Sequence, residues 1–153
     1  MTIEINNESA MPTTEATLHD LASFVLTELH VHPDTDLAIL LVDEDAMTKL
    51  HEQWMGEPGP TDVLSFPMDE LRPGRPDAQT PAGLLGDIVV CPQVAAIQAD
   101  AAGHDLMTEM LVLVTHGMLH LLGYDHAEPV EEHEMFSLQN QLLQSYLLRG
   151  AGA

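Results

Sequence analysis

Positive charge is scarce in this sequence. Its 153 residues carry only four basic side chains, Lys49, Arg72, Arg75 and Arg149, against 25 acidic ones, for a formal net charge of -21. A field of that sign repels phosphate backbones at long range and attracts cations and basic proteins, so composition alone argues against nucleic acid as a partner. The acids are dispersed rather than blocked, which suits a solvated, solubility-promoting surface. Cysteine is nearly absent as well. Cys91 stands alone and cannot close an internal disulfide, which fits a reducing compartment and makes the cytoplasm the expected location. Flanked by Val89, Val90 and Pro92, it reads as a small buried hydrophobe rather than a nucleophile. Long apolar runs are also missing. The longest, Leu37 to Val42, has the length of a strand and falls far short of the roughly 20 residues a bilayer requires. Met1 to Ala10 carries Glu4 and Glu8 and no basic region ahead of an apolar stretch, so it does not resemble a signal peptide. A soluble protein is expected.

What is present suits one globular domain, residues 1–150, followed by a loose tail at 151–153. The Pro- and Gly-rich stretch from Arg72 to Gly83 also reads as loose. Ile3 and Ile5 alternate with polar neighbours in a short first strand. Thr13 or Thr14 can cap a helix carrying Leu18, Leu21, Val25 and Leu29 on one face, which ends before Pro33. Leu37 to Val42 suits a strand covered on both faces, and Asp43 can cap a helix reaching about Trp54. Strands are expected again at Asp62 to Phe66 and Leu84 to Cys91. Pro92 opens a helix that Gly103 stops, Asp105 caps an apolar helix over Leu106 to Leu122, and an amphipathic helix runs from about Glu128 to Leu148. With hairpin and crossover connections both implied, the expected class is α+β: one mixed sheet of about four strands with about five helices packed on it.

Chemistry concentrates in Thr115-His116-Gly117-Met118-Leu119-His120-Leu121-Leu122-Gly123-Tyr124-Asp125-His126. His116 and His120 stand four apart on a helix, so their imidazoles leave one face in successive turns. Gly123 at the helix end can take the left-handed backbone that reverses the chain and swings His126 toward the same ion. Three imidazoles suit one Zn²⁺, and a site with three protein ligands keeps a fourth position for water. Zinc lowers the pKa of such a water from about 15.7 to about 7, which makes hydrolysis the natural chemistry. A helical His-x-x-x-His pair alone would carry little weight; the glycine turn and the third histidine give it weight. Asp125 as a fourth ligand would close the site and make it structural.

This segment, His-Gly-Met-Leu-His-Leu-Leu-Gly-Tyr-Asp-His, resembles the signature of the YbeY family of endoribonucleases. Pro60-Thr-Asp-Val-Leu-Ser-Phe-Pro67 and Leu85-Gly-Asp-Ile88 are similar to two further family stretches, so the likeness covers most of the domain. The resemblance implies a mixed sheet with surrounding helices, reminiscent of zinc peptidases, and His116, His120 and His126 as metal ligands. It also implies cleavage of single-stranded RNA in 16S ribosomal RNA maturation and ribosome quality control. Ribosomal RNA within ribosomal particles, with basic ribosomal or assembly proteins, would be the partners; DNA and membranes would not. One departure stands out. Many members have an Arg after an aromatic residue in the segment before Pro-Thr-Asp-Val, and here the pair is Trp54-Met55. Arg72 and Arg75 are the only clustered substitutes.

The group that handles the proton is not legible. Peptidases with His-Glu-x-x-His carry a general base after the first His, where this chain has Gly117, which weighs against a zinc metallopeptidase. Asp125 is the catalytic candidate, either orienting an imidazole or stabilising the turn. Asp62, Asp87 and Glu109 read better as turn or surface acids. The other histidines read as ordinary polar residues, with His30 and His32 able at most to hold a stray cation. The methionines read as core filler, Met55 alone having a second use as a contact surface. A third class of function, a non-catalytic ribosome-assembly protein with a structural metal and an acidic docking surface, also fits the composition.

Overall fold

The computed structural model describes residues 2–151. Its elements follow the order β1 (Thr2–Asn7), α1 (Glu15–Glu28), β2 (Asp36–Leu41), α2 (Glu44–Met55), β3 (Val63–Pro67), β4 (Leu84–Val90), α3 (Pro92–Ala102), α4 (Leu106–Leu121) and α5 (Pro129–Ala151). The four strands form one sheet in the order β1-β2-β4-β3. β1 and β4 run parallel to β2, and β3 returns antiparallel to β4. The expected α+β architecture with one mixed sheet and five helices is therefore present. Of the C-terminal tail expected at 151–153, Ala151 belongs to α5, and residues 152–153 lie outside the described range.

The alternation in β2 sets the layers. Leu37, Ile39 and Leu41 turn into the main core with Ile88 and Val90 of β4, under Leu18, Leu21 and Val25 of α1 and Met110, Val114 and Met118 of α4. On the opposite face Leu64 and Val89 meet Met47 of α2, with Leu40 and Leu50 beside them. The sequence suggested a β2 buried on both faces, but α2 covers only one end of the second face. Ala38 and Leu40 are half-exposed there and border a groove of about 680 Å³ with Trp54, Phe66 and Met68. Cys91 is fully buried in this smaller core, and burial pushes its thiol pKa up.

Two local expectations need correction. Thr14 and Asp43 occupy the N-cap positions of α1 and α2, yet neither side chain bonds to its own helix. Asp43 instead accepts from the backbone N–H of Ala10 at 2.9 Å and from the Gln93 amide, tying the exit of β1 and the start of α3 to α2. Nor is the stretch from Arg72 to Gly83 loose. Gly74 donates to the Leu29 carbonyl at 2.9 Å, Thr80 donates to that of His30 at 3.2 Å, and the buried Thr80 hydroxyl accepts from His32 at 2.9 Å. Those bonds pin the segment to the turn after α1, with Leu71 sunk in the main core.

Candidate metal centre

His116 and His120 ride on α4, a helix whose residues are mostly buried. Asp105 caps α4 by accepting from Thr108 N–H at 2.8 Å, and the helix packs against α1, α3, α5, β3 and β4. It lies very close to the sheet at Gly117, where an added Cβ would come within 3.0 Å of Ile88 and 3.1 Å of the Ser65 hydroxyl. Ser65 donates to the Gly117 carbonyl at 3.1 Å and locks strand to helix. The position that holds a general base in His-Glu-x-x-His peptidases is thus used here for close packing.

At its C-terminus α4 ends in a paired capping motif. Gly123 N–H donates to the His120 carbonyl and Tyr124 N–H to that of Leu119, both at 3.0 Å, with Gly123 at φ 93°. The chain reverses there and brings His126 beside the helix. Ligand nitrogens of His116, His120 and His126 lie within 4.8 Å of one another, and among the described residues no other His, Cys, Asp or Glu joins the group. Together they border an open cavity of about 410 Å³ with Met55, Asp62, Val63, Leu64, Ser65 and Pro67.

Hydrogen bonds fix which nitrogens face the ion position. Nδ1 of His120 lies 3.0 Å from the Tyr124 carbonyl, which can only accept, so that nitrogen carries the proton and Nε2 keeps its lone pair. Nδ1 of His116 lies 2.8 Å from Oε1 of Gln139, a buried side chain of α5, with the same consequence. The two Nε2 atoms then face each other at 3.1 Å with lone pairs on both. Such an approach is repulsive unless a proton or a metal ion is shared, and two nitrogens bound tetrahedrally at about 2.0–2.1 Å stand about 3.3 Å apart. Three imidazoles with two oriented from behind are a donor set that fits a borderline divalent metal.

The comparisons with known proteins agree with one another. The family model described as endoribonuclease YbeY matches residues 2–147. The chain belongs to the YbeY family. A relative from Leifsonia xyli subsp. xyli, named endoribonuclease YbeY, is 66% identical over 143 residues, covering 94% of each chain. Another of that name from Clavibacter sepedonicus is 64% identical over 152 residues, covering 99% of each. The solution structure of TM1509 from Thermotoga maritima superposes with a TM-score of 0.61 at 30% identity, over 94% of this chain and 87% of that one.

The remaining candidates of the YbeY domain separate clearly. Asp125 directs its carboxylate to the N–H of His126 at 2.7 Å, the turn-stabilising one of its two roles. Asp62 borders the cavity, but its oxygens accept from Val63 N–H at 2.7 Å, Thr61 at 3.3 Å and Gln98 at 3.2 Å. Asp87 lines the groove on the other sheet face, and the buried Glu109 meets His104 at 2.9 Å. Arg72 lays its guanidinium against Gly123, where an added Cβ would come within 2.8 Å of its Nε, while Arg75 pairs with Ala78 in an isolated bridge; neither borders the cavity. Met55 is not core filler: it is half-exposed and lines the cavity, and Met68 is exposed as well. Sequence reasoning missed Gln139. Its signal was a polar residue in the stripe Met135, Gln139, Leu142, where the helical repeat calls for an apolar one.

Proposed function

We propose that this chain is a zinc-dependent endoribonuclease that cuts single-stranded regions of ribosomal RNA during 16S maturation and ribosome quality control. One observation carries the reading: three imidazoles converge on one point, two of them oriented from behind, in a cavity open to solvent. The family supplies the reaction class, phosphodiester cleavage. In such a site zinc supplies Lewis acidity toward a phosphoryl oxygen and an acidified water. The chain's own part is to hold and orient. His116, His120 and His126 would bind the ion, Gln139 and the Tyr124 carbonyl hold two rings in the productive tautomer, and α4 resting on β3 and β4 keeps the pair rigid.

No helix among the described residues is long and apolar enough to cross a membrane. Cytoplasmic ribosomal particles, with basic ribosomal or assembly proteins, fit both the substrate and the net charge of -21. A peptidase-type base at Gly117 would crowd Ile88 and Ser65, which disfavours the peptidase alternative.

The deciding experiment combines elemental analysis of protein purified without a metal-affinity step with RNA cleavage by the His116→Ala and His120→Ala variants. The expected result is about one zinc per chain, lost together with cleavage in both variants, while circular dichroism shows a folded domain. Peptide cleavage independent of RNA would favour the peptidase, and unfolding on metal loss would favour a structural metal. Chemical analysis of the product ends separates attack by water from attack by the 2′-hydroxyl, because only the latter leaves a 2′,3′-cyclic phosphate.

A further inference from the structure

The cavity is badly equipped to hold a polyanion by charge. Lys49, Arg72, Arg75 and Arg149 all lie off its border, and Arg149 is paired with Asp20 at 3.2 Å. An ion held by the three histidines would neutralise the reacting phosphate but not the nucleotides that flank it. Aromatic surface is the other general means of holding a single strand, since every base has a face to stack.

Phe136 offers that surface. It leaves the first half of α5 one residue past Met135, off the buried stripe of Met135, Gln139 and Leu142, and it is 37% exposed. Its ring centre lies 5.7 Å from that of His116 with planes 31° apart, and 6.1 Å from that of His126 with planes 39° apart. The same side chain borders a second hollow of about 380 Å³ with Pro129, Glu132 and His133. One aromatic ring therefore stands between the ion position and an open depression beside it.

We propose that Phe136 is the platform of a nucleobase subsite, on which an unpaired base next to the scissile phosphate stacks as the RNA enters the metal centre. The proposal rests on the ribonuclease reading above and adds how the strand is held. Stacking is tolerant of base identity and needs no cationic side chain, which suits a protein of this charge. It also demands an unpaired base. A base in a duplex has both faces occupied by its neighbours, so the subsite itself selects single strands.

The test uses the full, zinc-loaded chain and a short single-stranded oligoribonucleotide carrying one 2-aminopurine, scanned along the strand. Phe136→Leu keeps apolar packing and removes the π face, whereas Phe136→Trp keeps the π face. Wild type and Phe136→Trp are expected to quench the fluorophore at one position. Phe136→Leu is expected to bind about ten-fold more weakly or worse, within the range that alanine substitution of a stacked aromatic produces. An abasic nucleotide at the quenched position should erase the difference between wild type and Phe136→Leu. Zinc affinity, read by chelator competition, is expected to stay within about three-fold of wild type. Equal RNA binding by Phe136→Leu and a wild type that cleaves RNA would overturn the subsite alone. So would a loss of zinc affinity in Phe136→Leu as large as its loss of RNA binding, which would make the ring a buttress for the imidazoles. A zinc-loaded wild type that neither binds nor cleaves any RNA would overturn the ribonuclease reading, and the subsite with it.

Discussion

Gln139 Oε1 accepts from Nδ1 of His116 at 2.8 Å, joining the final helix to the candidate metal centre through one buried amide. Partners that orient metal-bound imidazoles are commonly worth about 10- to 100-fold in metal affinity. Gln139→Leu is therefore expected to weaken zinc binding by about that factor, because it leaves the His116 N–H buried without an acceptor. Gln139→Glu keeps an acceptor and makes the ring more basic, so it should bind zinc at least as tightly as wild type. Chelator competition on both variants checks the order. Equal weakening in the two would mean that the amide matters for packing only.

Gly117 answers to geometry rather than to catalysis. Glutamate there, which would complete a His-Glu-x-x-His pattern, must place its Cβ 3.0 Å from Ile88 and 3.1 Å from the Ser65 hydroxyl. Overpacking of this kind costs about 1–3 kcal/mol. Gly117→Glu is expected to lower the urea midpoint accordingly and to gain no activity against peptides. A variant as stable as wild type that cleaved casein would show that α4 can lift from β3 without penalty.

The features legible in the sequence were those written locally. Gly103 stops α3 with φ of 79°, Pro92 opens it, and the His116, His120, Gly123 and His126 spacing marks a candidate metal centre because four positions of one helix and turn create it. Long-range partners were not legible. Thr80 and His32 are 48 residues apart, and Gln139 is 23 residues from His116, so nothing in the local pattern ties either pair together. Asp43 shows the same limit: a good N-cap residue at an N-cap position spends its carboxylate on Ala10 and Gln93 because tertiary donors compete successfully. The role of Met55 is set by where α2 ends against the cavity, which no local pattern encodes.

Gly123 is held by its backbone conformation. At φ 93° an L-residue carries a steric penalty of about 1–2 kcal/mol, and the Arg72 guanidinium already occupies the space a Cβ would need. Gly123→Ala is expected to destabilise the domain by about that amount and to weaken zinc binding, since the turn that delivers His126 must shift. Adding Arg72→Ala should recover little, because Arg72 is exposed and its guanidinium can move aside whereas φ cannot. Urea titrations of the single and double variants measure the difference. Full recovery in the double variant would place the cost in the clash instead.

His120 gives the metal-free protein a pH dependence of definite sign. Burial, then the neighbouring His116, holds its pKa below the ordinary value of 6.5. The folded chain therefore binds this proton less readily than the unfolded chain does, and between the two pKa values the unfolded state carries more of it. Stability rises with pH wherever the unfolded state binds more protons. The contribution of His120 is thus fully present above the ordinary histidine value, is lost as pH falls from there through the lowered folded value, and changes no further below it. Urea midpoints measured in chelator from pH 8 down to pH 5 are expected to decline across that acidic window, and His120→Gln should decline less steeply. Equal slopes in the two would mean that His120 contributes nothing to the decline, contrary to the burial and the two neighbouring imidazoles that outweigh the Tyr124 carbonyl and Asp125, which favour its charged form.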